Sequence, residues 1–403
     1  MKKLIVHDHL VTKENLIELV SICPFHALEE KDGKLSINEG CKMCSICVKR
    51  GPQGVMEMVE TEEESAIDKS QWQGIAVYVD HVDGKIHPVT LELLGKAKEL
   101  AEKVKFPVIA LFIGSGIKNQ AEELLHYGAD KVYVYDHKEL QYFRIEPYAK
   151  AFEAFIHEVK PSSILVGATT IGRSLAPRIA ARFKTGLTAD CTVLEIKENS
   201  DLVQIRPAFG GNIMAQIKTP NTRPQLATVR YKVMNAIERM EEVTGEVLVR
   251  TLPEKDLVSR IEVLEVREKE SEISISDAET IIAVGRGLKS EKDMALVKEL
   301  AELLGAQIAG TRSLVESGWI EAKRQVGLSG RTVKPKLMIT LGISGSVQFA
   351  AGMNGSEHIF AINNDENASI FNVAHYGIVG DLYEVLPQLI ENVRKTKEPN
   401  YVL

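Results

Sequence analysis

From Gly74 onward the chain alternates short apolar runs with segments that are apolar at helical spacing. That alternation restricts the fold more than any other feature. Ile75 to Val79, Val108 to Ile113, Val132 to Tyr135 and Ile164 to Val166 read as strands. Val89 to Val104, Ala121 to Tyr127 and Ile171 to Phe183, the last containing Pro177, read as helices. After a charged stretch from Arg239 to Glu272 the pattern resumes. Strands follow at Ile281 to Val284, Leu337 to Leu341 and His358 to Ile362, with a helix at Ser290 to Leu304. Strands separated by helices pair as parallel neighbours, because the crossovers place helices on both faces of the sheet. Thr185 to Tyr231 differs: its short β-rich runs around Gly210-Gly211 read as antiparallel strands appended to the first sheet.

Polar or glycine clusters sit at the ends of these runs: Gly285-Arg286-Gly287, Thr311-Arg312-Ser313, Gln325 to Gly330, and Tyr376 to Asp381. In a doubly wound sheet such clusters converge at the carboxyl edge, where nucleotides bind. The fullest case is Ile339 to Asn363. There an apolar run breaks at Gly342, a turn of Ser344, Gly345 and Ser346 follows, and a short helical pattern leads to a second apolar run. First-turn amides lack internal partners and the helix dipole favours an anion, so this corner suits a phosphate or pyrophosphate. Gly114-Ser115-Gly116 is a lone Gly-x-Gly and reads more simply as a tight turn. Arg173 and Arg178 read as surface contacts.

The 403 residues carry 49 basic and 56 acidic side chains, a formal charge of -7, which argues against a nucleic-acid binder. No apolar run approaches the ~18–20 residues that span a membrane. The start, MKKLIVHDHL, lacks the apolar core of a secretory signal, and a cytoplasmic protein is expected.

Four of the five cysteines lie in the first 47 residues. Cys41, Cys44 and Cys47 form Cys-x2-Cys-x2-Cys, and Cys23 precedes Pro24. In the bacterial ferredoxin run Cys-x2-Cys-x2-Cys-x3-Cys-Pro, the fourth cysteine ligates the other of two clusters. By that rule, one set of ligands is missing: Lys13, Leu16, Leu19 and Gly51 stand at its positions. The other set, Cys23, Cys41, Cys44 and Cys47, is complete. The opening segment thus resembles a two-cluster ferredoxin reduced to one [4Fe–4S] centre. A zinc site is the alternative, although zinc more often pairs two separated Cys-x2-Cys knuckles. Cys191 has no spacing partner and reads as a buried structural thiol. Val59 to Asp68, VETEEESAID, reads as an acidic linker. The fold expected is α/β: two Rossmann-like parallel-sheet domains, 69–265 and 266–403, preceded by a small α+β ferredoxin-like domain with its linker, 1–68.

The segments VGRGLKS, TRSLVESGW, QVGLSGRTV, LGISGSVQFAAGM, AINNDENASIF and YGIVGDL, in that order, resemble the alpha subunit of electron-transfer flavoprotein. So does VYVDHVDGKIHPVTLELLGKAKEL in the first α/β domain. The resemblance implies FAD in an extended form across the last domain. It places Arg286 and its glycines in the FAD-binding loop. Arg312, between Thr311 and Ser313, falls by the isoalloxazine ring, where a fixed cation favours the reduced, anionic flavin. Ser329, flanked by Gly327 and Gly330, falls near flavin N5, and Gln325 and Val326 are expected to bind the cofactor. Ser344, Gly345 and Ser346 fall at the pyrophosphate, Gly342 and Gln348 are expected to bind the cofactor beside them, and Asn363 and Asp381 fall at the adenosine end. Singly, such Ser, Asn and Asp positions read as caps and turns. Two departures stand out. Phe349 occupies a position where the family commonly has His or Pro. Met338 replaces a frequent Tyr, read as a packing change.

The ferredoxin-like head resembles that of family members in electron-bifurcating complexes of anaerobes. That implies a beta subunit carrying a second FAD and exchanging hydride with NAD, an FAD-dependent dehydrogenase, and soluble ferredoxin. The dehydrogenase is expected to be of the lactate type, with an acyl-CoA or caffeyl-CoA reductase type as alternative. The chain would then be a non-autonomous subunit of an oxidoreductase. A non-bifurcating electron-transfer flavoprotein and an adenine-nucleotide-binding regulator are the remaining alternatives.

Overall fold

The computed structural model describes residues 2–31, 33–38, 40–60, 67–211, 213–267 and 274–397. The chain forms two compact units, Met1–Ala66 and Ile67–Leu403.

In the small unit, strand Lys2–Val6 pairs antiparallel with Met56–Glu60, and Leu28–Lys31 pairs with Lys34–Ile37 in a hairpin. Helix Lys13–Ile22 begins in a reciprocal cap: the Asn15 backbone amide donates to the Thr12 hydroxyl, and the Thr12 backbone amide donates to Asn15 Oδ1. Its buried side packs Leu19 with Leu4, Leu28, Leu35, Val55 and Met56. The segment read as an acidic linker begins inside the closing strand, since Val59 pairs with Lys3. Asp68, at its other end, caps the short helix Lys69–Gln71. Residues 61–66 lie outside the described residues.

The large unit is α/β and holds two parallel sheets. The first has seven strands. Across the sheet they run Leu187–Cys191, Gln225–Val229, Ser163–Gly167, Ile75–Tyr78, Val108–Gly114, Lys131–Asp136 and Glu246–Arg250, all parallel. Helices Pro88–Val104 and Lys118–Leu125 cover one face, and Ile145–Val159 and Thr170–Arg182 cover the other. Two expectations change here. Of the runs between Thr185 and Tyr231, only Val193–Ile196, Leu202–Ala208 and Ile213–Ile217 are antiparallel, and they form a separate sheet. The flanking runs, Leu187–Cys191 and Gln225–Val229, join the main sheet in parallel, the first at its edge and the second buried along its whole length. The charged stretch after Arg239 also contains an edge strand, Glu246–Arg250, whose outward charges are tolerated because one side meets solvent. Residues 268–272 of that stretch lie outside the described residues.

The second sheet has five parallel strands: Thr280–Val284, Gln307–Gly310, Leu337–Leu341, His358–Asn363 and Tyr376–Val379. Numbered by chain order, they lie 2-1-3-4-5 across the sheet. Helices Met294–Leu304 and Leu382–Lys397 cover one face. The other face packs Ile281, Ala283, Met338, Phe349, Met353 and Ile359. Among the described residues, no helix is long and apolar enough to cross a membrane.

Candidate functional site

The strand order 2-1-3-4-5 reverses direction between Thr280–Val284 and Leu337–Leu341, and a crevice opens beyond their carboxyl ends at such a point. Here it is a cleft of about 450 Å³. Its walls come from four loops. Gly285 and Arg286 leave the first strand; Thr311, Arg312 and Ser313 leave the second. Gly342, Ile343, Ser344, Ser346, Gln348 and Phe349 follow the third. Gln325, Val326, Gly327, Leu328 and Ser329 close the remaining side.

Close backbone approach builds these walls. The Gly287 amide donates to the Gly342 carbonyl at 3.0 Å, and a Cβ on Gly342 would fall 2.6 Å from the Gly287 α-carbon. Gly342 sits at φ +60, which favours glycine. The Leu328 amide donates to the Gln348 carbonyl at 2.8 Å, tying the third-strand loop to the opposite wall. Gln325, buried, donates from Nε2 to the Ser329 hydroxyl at 2.7 Å. Thr311 and Ser313 share a hydroxyl–hydroxyl bond of 3.0 Å. Among the described residues, two guanidinium groups line the cleft and no carboxylate does. Arg312 is 70% exposed and pairs through Nε with Glu316 at 2.8 Å. The charge balance, hydroxyl donors and glycine-made approach suit an anionic, flat ligand.

Twelve of the sixteen residues expected at a flavin lie on this cleft; Gly330, Gly345, Asn363 and Asp381 do not. Each of these four has another observed role. A Cβ on Gly330 would fall 2.3 Å from the Gln325 carbonyl, and one on Gly345 would fall 2.1 Å from the Ile370 amide nitrogen. Asn363 donates to the Ile343 carbonyl at 2.8 Å and accepts from the Asp365 amide at 3.0 Å, pinning the cleft loop from behind. Asp381 accepts from the Tyr383 amide at 2.8 Å at the start of the last helix. The helix after Ser346 is one turn, Val347–Ala350, so its dipole counts for less than the sequence pattern implied. Ser346 caps it, accepting from the Phe349 amide. Phe349 is only 5% exposed and lines the cleft while packing into the apolar layer beneath. Met338 is fully buried. Leu328 and Ile343 line the cleft without having been singled out, since apolar wall positions look like core in a sequence.

The Gly114 turn is closed differently. The Asp136 carboxylate accepts from the amides of Gly116, Ile117 and Lys118 at 2.8, 3.0 and 3.3 Å. An internal carboxylate fills the place a phosphate would take.

In the small unit, Cys23, Cys41, Cys44 and Cys47 line one cavity of about 20 Å³, with Pro24, Phe25, Ala27, Leu28 and Ile46 among the apolar walls. The Ala27 amide donates to Cys23 Sγ at 3.3 Å. Among the described residues, no three or more His, Cys, Asp or Glu converge as a single-ion site requires. Of the positions of the missing ligand set, Leu16 and Leu19 are buried in the core, Gly51 is half-buried and Lys13 is exposed. Leu19 is fully buried, and a Cβ on Gly51 would fall 2.7 Å from its Cδ2. Cys191 lies in the large unit, buried, with its thiol pushed up to about 12 chiefly by desolvation. That is an inert thiol.

Comparison with known proteins decides the family. Residues 75–255 match the model of the electron transfer flavoprotein domain, and 274–354, which contain the cleft, match that of the electron transfer flavoprotein FAD-binding domain. The chain belongs to the alpha-subunit family of electron-transfer flavoproteins. It is 61% identical, over 94% of its own length and 91% of the relative's, to the "Lactate dehydrogenase (NAD(+),ferredoxin) subunit LctC" of Acetobacterium woodii. It is 45% identical to an electron transfer flavoprotein subunit alpha of Megasphaera elsdenii, over 82% of this chain and 99% of that one. It is 38% identical to the "Acryloyl-CoA reductase electron transfer subunit beta" of Anaerotignum propionicum, over 83% and 99% respectively.

Proposed function

We propose that this chain is the electron-carrying subunit of a cytoplasmic flavin-based electron-bifurcating complex, holding one FAD and one [4Fe–4S] cluster. The complex couples NAD and ferredoxin to an FAD-dependent lactate dehydrogenase. Its beta subunit carries a second FAD and meets NAD. In this reading residues 1–68 are the cluster domain with its linker, 69–265 the first Rossmann-like domain, and 266–403 the FAD-binding domain.

One observation carries the proposal. A match over 94% of the chain must include most of the first 66 residues, and the relative so matched is named for NAD, ferredoxin and lactate. Matches over 82% need not reach the cysteine unit.

The residues fit both groups. FAD supplies the redox chemistry when bound, while the protein positions and tunes it. The Ser344 and Ser346 hydroxyls and the crossing at Gly287 and Gly342 favour close approach of a pyrophosphate. Arg286 and Arg312 offset its charge, and Arg312 lowers the cost of negative charge on the ring. The Gln325–Ser329 bond fixes the Ser329 hydroxyl at the cleft, and Phe349 keeps water from the inner wall. Asn363 and Asp381, at the carboxyl ends of the fourth and fifth strands, stand along the edge where the adenosine end of an extended dinucleotide would lie. For the cluster, four thiols around one apolar-walled cavity, with a backbone N–H on Cys23, make a donor set suited to iron and sulfide.

The acryloyl-CoA relative favours a second reading, the same role with an acyl-CoA dehydrogenase or enoyl-CoA reductase. A nucleotide-binding regulator is disfavoured because Asp136 occupies the Gly114 turn. The test is to purify the chain anaerobically with its beta subunit and the dehydrogenase encoded beside it. Flavin and cluster absorption, and lactate-dependent NAD reduction that requires reduced ferredoxin, are expected. Lactate oxidation indifferent to ferredoxin would make this a conventional electron-transfer flavoprotein, and absence of flavin would overturn the reading.

A further inference from the structure

Arg230 follows the strand Gln225–Val229 of the seven-stranded sheet, yet it reaches the wall of the cleft formed by the five-stranded one. Its Nη1 donates to the Leu328 carbonyl at 2.8 Å, and its Nη2 donates to Asp190 Oδ2 at 2.8 Å. Asp190 in turn accepts from Arg173 Nη2 at 3.0 and 3.2 Å. The result is a chain of charge-assisted bonds, Arg173 to Asp190 to Arg230, ending on a backbone carbonyl between two cleft residues.

Two independent features indicate that this chain is built. Asp190 sits in a β-bulge, where Ala189 and Asp190 together oppose the single residue Thr228. It also holds φ +56, a left-handed conformation costly for a side-chain-bearing residue. Bulges re-aim side chains, and strained backbone persists where its surroundings over-determine it. Here the bulge turns the Asp190 carboxylate onto both arginines, while its amide donates to Thr228 Oγ1 at 3.0 Å. Burial opposes ionisation of Asp190, but the hydrogen bonds and charges of Arg230 and Arg173 outweigh it and hold its pKa below the usual range.

The Leu328 peptide is gripped from two directions. Its N–H is bound by the Gln348 carbonyl, within the cleft, and its C=O by Arg230, from outside it. The C=O of Leu328 and the N–H of Ser329 belong to one planar trans peptide and point in opposite directions. Holding the carbonyl therefore fixes the orientation of the Ser329 amide, on a residue that lines the cleft. Leu328 is approached a second time from the hairpin of the separate three-stranded sheet, since a Cβ on Gly211 would fall 2.5 Å from its Cδ1. We propose that Arg230, aimed by Asp190, is a positioning residue that sets the Leu328–Ser329 peptide against the cofactor held in the cleft. The proposal rests on the flavin reading of that cleft.

The test compares Arg230→Met, Arg230→Lys and Asp190→Asn in the full chain purified with its beta subunit. The readouts are flavin affinity, flavin midpoint potential, the visible spectrum and thermal midpoint. Loss of one charge-assisted bond at the wall predicts about tenfold weaker FAD binding in Arg230→Met, with a shifted potential and shifted flavin bands. Arg230→Lys should recover part of both, because an ammonium can reach the carbonyl but cannot hold the same fork to Asp190. Asp190→Asn should shift them in the same direction by less. Unchanged affinity, potential and spectrum, with or without a lower thermal midpoint, would overturn the proposal and leave Arg230 a brace between the sheets. Should Arg230→Met not fold, Arg230→Lys and Asp190→Asn decide by the same readouts. A wild-type protein that takes no FAD would instead overturn the flavin reading.

Discussion

Gly287 and Gly342 cross backbone to backbone where the loops of the two central strands of the five-stranded sheet diverge. The Gly287 amide meets the Gly342 carbonyl at 3.0 Å, and neither residue has room for a Cβ beside the other's α-carbon. Alanine at Gly342 would meet both a left-handed backbone, costing about 1–2 kcal/mol, and an overpacked crossing, costing a further ~1–3 kcal/mol. Gly342→Ala is expected to lower stability by that order and to lose bound flavin. Flavin absorbance per chain and urea denaturation check it; full flavin retention would show that the crossing does not shape the site.

The cysteine unit yields a separable outcome. Cys41→Ser should abolish about four iron and four sulfide per chain while leaving flavin content unchanged. Cys191→Ser should leave iron untouched, since that thiol is buried far along the sequence in the other unit. Metal analysis showing zinc in the anaerobically purified wild type would replace the cluster with a zinc site.

Phe349 tests the departure from the family pattern. Phe349→His puts a ring nitrogen at the inner wall of the cleft, where a donor to the flavin would stabilise charge gained on reduction. The expected outcome is an upward shift of the flavin midpoint potential, followed by spectroelectrochemistry. An unchanged potential would mean that Phe349 lies away from the ring.

Glu92 governs a pH dependence away from the cleft. Its carboxylate accepts from the Lys232 amide at 3.1 and 3.0 Å, yet burial pushes its pKa up to about 7 against the pull of Lys334 and Lys232. In the unfolded chain it titrates near 4.3. Between those values the folded protein keeps a proton that the unfolded chain has lost, so stability falls as pH rises through the window and levels above about 7, a loss of roughly 4 kcal/mol. Glu92→Gln should flatten that slope in denaturation series spanning about pH 4 to pH 8.

Much of this was legible along the chain because it is local. Apolar runs marked four strands of the seven-stranded sheet and three of the five-stranded one, while Gln307–Gly310 and Tyr376–Val379 were not read as strands; the motifs that resemble the family held twelve of the cleft residues. Asn363 and Asp381 lay in the same motifs, but in the structure their side chains pin a loop and start a helix. Motif membership cannot separate a residue that touches a ligand from one that shapes the loop behind it. The strands Leu187–Cys191 and Gln225–Val229 were read as antiparallel because β-rich runs with short connections favour hairpins. The intervening three-stranded sheet supplies the crossover that makes them parallel.

Periodicity and spacing by themselves determined the α/β class, the four-cysteine set and the glycine turns, since each depends on residues within a few positions of one another. Tertiary structure decided which turn could receive a ligand. Asp136, twenty residues beyond Gly116 and on the neighbouring strand, fills the amides of one turn, while the turn at Gly342 keeps an open cleft. It also brought Arg230 onto Leu328, 98 residues away. Such meetings depend on strand order and on which sheet faces which. Those follow from packing the whole chain, and no local pattern encodes them.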